Sequence, residues 1–285
     1  MQDSFIDIGA NLTDQSFDHD RDKIIEDSFK NGIEQIIVTS SSVNESLKSI
    51  ELTKSYKGKI WATAGIHPHN ASNASENFKE DLITILNHDE VVAIGECGLD
   101  YFRNFSSKEE QRKIFKGHLE LAHKEDLPLF LHQRDAHDDF LGMIKDYGPK
   151  ELKGVAHCFT GSKEQMESYL DLGLYIGVTG WLCDSRRNSE LLGAINYIPK
   201  DRLLIETDSP YLMPKSLSKS LNTRRNEPQF LGYIAKELAS LMQISLSELS
   251  SITRSNTKTL FAKLRDENFT DNLINIINDK ETRNS

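Results

Sequence analysis

The feature that most narrows the fold is a repeated alternation along the chain. Eight short apolar runs, at residues 5–8, 33–38, 60–66, 91–100, 128–132, 154–158, 174–179 and 202–206, are separated by segments with helical spacing. Residues 21–31, 43–56, 76–87, 108–124 and 163–172 carry the clearer helical patterns, and a further helix begins near His137. After a long loop, residues 229–242 supply an eighth helix. Eight strand-like runs alternating with helices predict a (β/α)8 TIM barrel of the metal-dependent hydrolase type. An open doubly wound sheet is the competitor, but no G-x-G-x-x-G follows the first run.

A length of 285 residues fits one such barrel, so a single domain over 1–285 is expected, with 266–285 as a polar, weakly helical or frayed tail. No run of about eighteen apolar residues and no secretory leader pattern occurs, which points to a cytoplasmic monomer without membrane contact. Cys97, Cys158 and Cys183 form no C-x-x-C pair and suggest neither disulfides nor a zinc knuckle. A formal charge of −10 argues against a protein that coats nucleic acid through many phosphate contacts, although it leaves room for an enzyme gripping one or two phosphates.

The polar residues fall where such a barrel would use them. Asn11, His67, Glu96, His132, His157 and Asp208 each sit at or just past the carboxyl end of an expected strand, and those ends converge on one mouth. Glu96, His132 and His157 offer one carboxylate and two imidazoles to a divalent ion, and Asp208 either completes that set or accepts a proton from the attacking water. Glu96 and Asp208 are therefore the catalytic candidates. Arg134, two residues past His132, should face the same mouth and suits a phosphate or carboxylate. Tyr101, Phe102 and Trp181 lie near these loops and serve either base stacking or packing. By strand alternation Cys97 and Cys158 should point outward, and His118 and His123 on a helix are surface or packing residues.

With those residues assembled, the chain closely resembles the TatD family of metal-dependent deoxyribonucleases. The resemblance rests on D-I-G-A-N-L-T at 7–13, G-I-H-P-H at 65–69, A-I-G-E-C-G-L-D at 93–100, H-Q-R-D-A at 132–136, H-C-F-T-G at 157–161, I-E-T-D-S-P-Y-L at 205–212 and R-N-E-P at 225–228. It implies a hydrolase that removes nucleotides from single-stranded DNA, and also RNA, in the 3′ to 5′ direction with a divalent ion. By the same resemblance Glu96, His132 and His157 correspond to metal ligands, Asp208 to the catalytic acid and His67 to a residue beside the scissile phosphate. Most of the wider family carries H-x-H at the end of strand one, where this chain has Gly9 and Asn11. With fewer imidazoles and more oxygen ligands the site should favour harder ions such as Mg2+ or Mn2+ over Zn2+, Mg2+ being the first expectation, leaving Asn11 to hold a second ion weakly or a phosphate oxygen. The alternatives are a metal-dependent amidohydrolase or phosphoesterase acting on a small molecule, and a noncatalytic nucleic-acid-binding protein.

Overall fold

Eight parallel strands pair in strict chain order, β1 to β8, in the computed structural model, which describes residues 3–148 and 152–264. They are β1 Phe5–Ala10, β2 Ile33–Val38, β3 Ile60–Ala64, β4 Val91–Asp100, β5 Leu129–Arg134, β6 Gly154–Ala156, β7 Tyr175–Val178 and β8 Leu203–Ile205. The seam between β8 and β1 is closed by a bridge from Ala10 to Ser209. Backbone bonds reinforce it, from Asp208 N–H to Gly9 O (2.8 Å) and from Asn11 N–H to Ser209 O (2.7 Å). The expected TIM barrel is the observed fold.

Outside the ring lie α1 Arg21–Lys30, α2 Val43–Ser55, α3 Phe78–Leu86, α4 Lys108–Glu125, α5 His137–Asp146, α6 Lys163–Asp171, α7 Ser189–Ala194, α8 Lys215–Leu221, α9 Leu231–Leu241 and α10 Leu246–Leu260. Strand alternation divides the apolar residues between two cores. Ile6, Ile8, Ile37, Val92, Phe130, Val155 and Leu204 fill the barrel interior together with Phe261 and Leu264. Residues such as Ile36, Val38, Ile94, Leu129, Leu131 and Ile176 pack outward against the helices.

The strands delivering His157 and Glu206 are shorter than the sequence pattern suggests. Both β6 and β8 stop before those residues. The eighth helix is found at α9, after a 3-10 turn at Pro228–Phe230. Helices α7, α8 and α10 were not foreseen. α10 is rich in serine and threonine, which favour turns over helix interiors. It starts at a Ser245 cap on Glu248 N–H, and the Thr253, Thr257 and Thr259 hydroxyls are satisfied by donating to carbonyls one turn back. Asn256 ties it to the barrel through Lys200 O and Leu203 O. The polar tail at 266–285 lies outside the described residues.

Candidate active site

Strand β4 is irregular where it matters. Its register with β5 shifts between Gly95 and Cys97, leaving Glu96 as an extra residue whose N–H donates to Ser40 O (3.0 Å) on the far side. Such a bulge re-aims a side chain, here toward the barrel mouth. Pairing then resumes at Gly98 opposite His132, where a Cβ would stand 1.9 Å from His132 O, so only glycine allows the two backbones to approach. The strand has the bounds of its run, Val91–Asp100, so Glu96 lies within it and not at its carboxyl end.

Around one oxygen of Glu96 three imidazoles gather. Oε1 lies 2.8 Å from His157 Nε2, 2.9 Å from His132 Nδ1 and 3.3 Å from His67 Nε2, and the His132 and His157 nitrogens are 3.4 Å apart. Two donors bound to one ion at about 2.1 Å stand roughly 3.0–3.4 Å from each other, so the spacing of Glu96, His132 and His157 fits a single divalent cation. Charge agrees with spacing. Burial would raise the Glu96 carboxyl, but His157, His67 and the hydrogen bonds from His132 and His157 outweigh it and hold it well below its ordinary value. Burial would lower His157, but Glu96 and Glu206 raise it well above its usual range. The shifts of Glu96 and His157 both favour positive charge beside the Glu96 carboxylate, the charge that a bound divalent cation would supply.

His67, Glu96 and His132 form a further group whose donor atoms all lie within 4.8 Å of one another. The hydrogen bonding of His67 separates it from the other imidazoles. Its Nδ1 accepts the His69 N–H (3.0 Å), which puts the proton of the neutral ring on Nε2, the atom facing Glu96. Burial lowers its pKa to about 4, so the ring is neutral near pH 7 and presents an N–H donor to the site.

Residues that the sequence reading passed over fix these rings. Asp100 accepts from His69 Nε2 (2.7 Å) and stands 3.4 Å from His132 Nε2, behind the nitrogen that faces Glu96. Glu206 is fully buried, lies 3.2 Å from His157 Nδ1 and accepts the Cys158 N–H (2.6 Å). Carboxylates placed this way set the tautomer of a ligand histidine. Alternation could have found Asp100, which shares a face of β4 with Glu96, whereas Glu206 lies past the end of β8. Glu206 has space because Gly9 and Gly177 flank it: a Cβ would come within 2.3 Å of its Oε2 at Gly9 and 2.5 Å of its Oε1 at Gly177. Gly9→Ala should therefore push Glu206 off His157 and weaken divalent-ion binding by about 10- to 100-fold, measured by titration calorimetry.

Asp208, at φ +54°, follows β8 and lines the same cavity, of about 960 Å3, as Asn11, His67, Glu96, His132, Arg134 and His157. Burial, with Glu96 and Glu206 nearby, pushes its carboxyl up to about 7. Asn11 donates to Asp208 Oδ1 (3.1 Å) and Ser209 O (3.2 Å) and accepts from Thr39 Oγ1 (2.8 Å), which orients that acid. Arg134 reaches the cavity with its guanidinium 3.8 Å from the Phe102 ring centre.

The expected outward packing holds for Cys97, which belongs to the outer core, but not for Cys158. β6 has ended by then, and at φ +46° Cys158 turns into the cavity wall with its Sγ 3.3 Å from Thr179 Oγ1. Burial pushes its thiol up to about 12, so it is no nucleophile near pH 7. His118 is a buried packing residue, donating to Ile114 O and accepting the Ile66 N–H next to His67.

Residues 6–262 match the family model described as TatD related DNase. The chain belongs to that family. Relatives named 3′-5′ ssDNA/RNA exonuclease TatD, from Salmonella typhimurium and Escherichia coli K12, are each 42% identical over 255 residues, covering 90% of this chain and 98% of the relative. Among solved structures, a TatD family hydrolase from Entamoeba histolytica superposes with a TM-score of 0.83 at 35% identity, covering 92% of this chain and 99% of that one. The TatD homologue YjjV from Escherichia coli gives 0.83 at 29% identity, covering 90% and 98%. The TatD family assignment makes the chain a nuclease of the metal-dependent hydrolase class. No helix among its described residues is long and apolar enough to cross a membrane.

Proposed function

We propose that this TatD family member is a 3′-5′ exonuclease of single-stranded DNA and RNA, with Glu96, His132 and His157 holding a divalent ion, Mg2+ in preference to Mn2+ or Zn2+. The observation that carries the metal site is the meeting of His132 Nδ1 and His157 Nε2 on one Glu96 oxygen, at 2.9 and 2.8 Å. The substrate is taken from the names of the relatives at 42% identity. When bound, the ion supplies Lewis acidity toward a phosphate oxygen and lowers the pKa of water.

The chain's own groups do the rest. Asp208, oriented by Asn11, is the proton acceptor for the attacking water. A carboxyl raised to about 7 carries its proton more tightly than an exposed one, and a neighbouring cation lowers that value, so the acid is ionised and basic at neutral pH. His67 donates from Nε2 to a phosphate oxygen, and its neutrality lets it do so without repelling the ion. Arg134, braced on Phe102, neutralises a phosphate of the bound strand.

The test is hydrolysis of an end-labelled single-stranded oligonucleotide and of a panel of small phosphoesters and amides, after EDTA treatment and readdition of each metal. Hydrolysis from the 3′ end that stops with EDTA and returns most strongly with Mg2+ is expected. Cleavage of small substrates only would move the chain to small-molecule hydrolysis.

A further inference from the structure

A second cavity of about 770 Å3 opens beside the catalytic one, between the loops after β5, β6 and β7. The two share Gln133, Arg134, His157, Thr160 and Trp181 as walls, so a strand whose phosphate lies at the ligand cluster has space on both sides of it. The seam between them carries two arginine–aromatic stacks. Arg134 lies 3.8 Å over Phe102, and Arg187 lies 3.8 Å over Trp181, whose Nε1 donates to Arg187 O (3.0 Å). Phe102 is 54% exposed, so its ring is open to a stacking partner at the wall of this second cavity.

The rest of the second cavity has the wrong charge for phosphate. Asp135, Asp138, Asp139 and Glu190 line it, against Lys108 and Arg134. Phosphates are thereby confined to the arginines at the seam, while a neutral base, with amino groups to donate and a face to stack, meets no such repulsion. We propose that this second cavity is a nucleobase site: it takes the base of a nucleotide flanking the scissile phosphate, stacked on Phe102 and Trp181, with the strand's phosphates held by Arg134 and Arg187. This rests on the exonuclease reading for its substrate, and it adds why the strand must be single, since a paired base cannot enter.

The test is a chemical double-mutant cycle. A 12-nucleotide DNA carries a single abasic residue at the first, second or third position from its 3′ end, and kcat/KM with Mg2+ is measured for the wild type and for Phe102→Ala. At one of the two positions flanking the first scissile bond, loss of the base should cost the wild type roughly 5- to 100-fold. On that same substrate Phe102→Ala should add less than about 2-fold, having already lost the same contact. Penalties that simply multiply at every position would mean that Phe102 only braces Arg134, and would overturn the site. Trp181→Leu is the second probe, with the same expectation. Binding of the same oligonucleotides to Asp208→Asn, and to that variant carrying Phe102→Ala, is followed by fluorescence anisotropy and separates the two readings. Coupling in binding without hydrolysis by the wild type keeps the base site and ends the exonuclease reading. Hydrolysis without coupling does the reverse, and neither binding nor hydrolysis ends both.

Discussion

Glu96→Ala is expected to lose divalent-ion binding and to lower kcat/KM on single-stranded DNA by about 1000-fold or more, the scale of several kcal/mol of charge stabilisation. The reason is specific to this site. The one Glu96 oxygen is the common neighbour of His67, His132 and His157, so its removal takes away both a ligand and the charge around which the others are arranged. Two readouts check it besides turnover. Calorimetric titration with Mn2+ should show no saturable binding, and the metal-induced rise in Tm of the wild type should vanish. The variant should still fold, because imidazoles left without Glu96 can release their protons rather than remain buried, charged and unpaired. Retained metal binding in Glu96→Ala would remove this residue from the site.

Asp208→Asn should behave differently. A general base contributes about 100- to 10000-fold, so kcat is expected to fall on that scale while metal affinity stays within about 10-fold of wild type. The pH profile gives the sharper check. Burial beside Glu96 and Glu206 pushes the Asp208 carboxyl up to about 7, and a bound cation would draw it lower. The wild type should therefore lose kcat as pH falls through a value below 7, when the base takes up its proton. Asp208→Asn has nothing to protonate there and should lose that limb. A variant that keeps both the rate and the acidic limb would assign the base elsewhere.

Much of the barrel was legible because β strands buried on both faces read as continuous apolar runs, and β2, for example, has the bounds its pattern suggests. α10 was not, because its hydroxyl side chains have turn propensity and what holds it to the barrel is long-range: Asn256 on Lys200 O and Leu203 O, Ser250 on Ser4 O, Arg254 and Lys258 on Glu34 of β2, and the buried Leu249 and Leu260. In the candidate site, the residues at strand ends could be named from position, and all of them line one cavity: Asn11, His67, Glu96, His132, His157 and Asp208. Cys158 shows the limit of that reasoning. Alternation holds only while the strand lasts, and β6 ends two residues too early for it.

The sequence by itself determined the barrel, the family and the residues at its mouth, because hydrophobic period and motif spacing are local properties of the chain. The tertiary structure decided how those residues are wired. That Glu96 sits on a bulge and that Glu206 fills the space left by Gly9 and Gly177 depend on partners about 30 to 200 positions away, whereas the proton of His67 is placed by the His69 N–H two residues on. No local pattern encodes those long-range pairings; they exist only once the strands have paired, and the contact of Glu206 with Gly9 only once β8 meets β1.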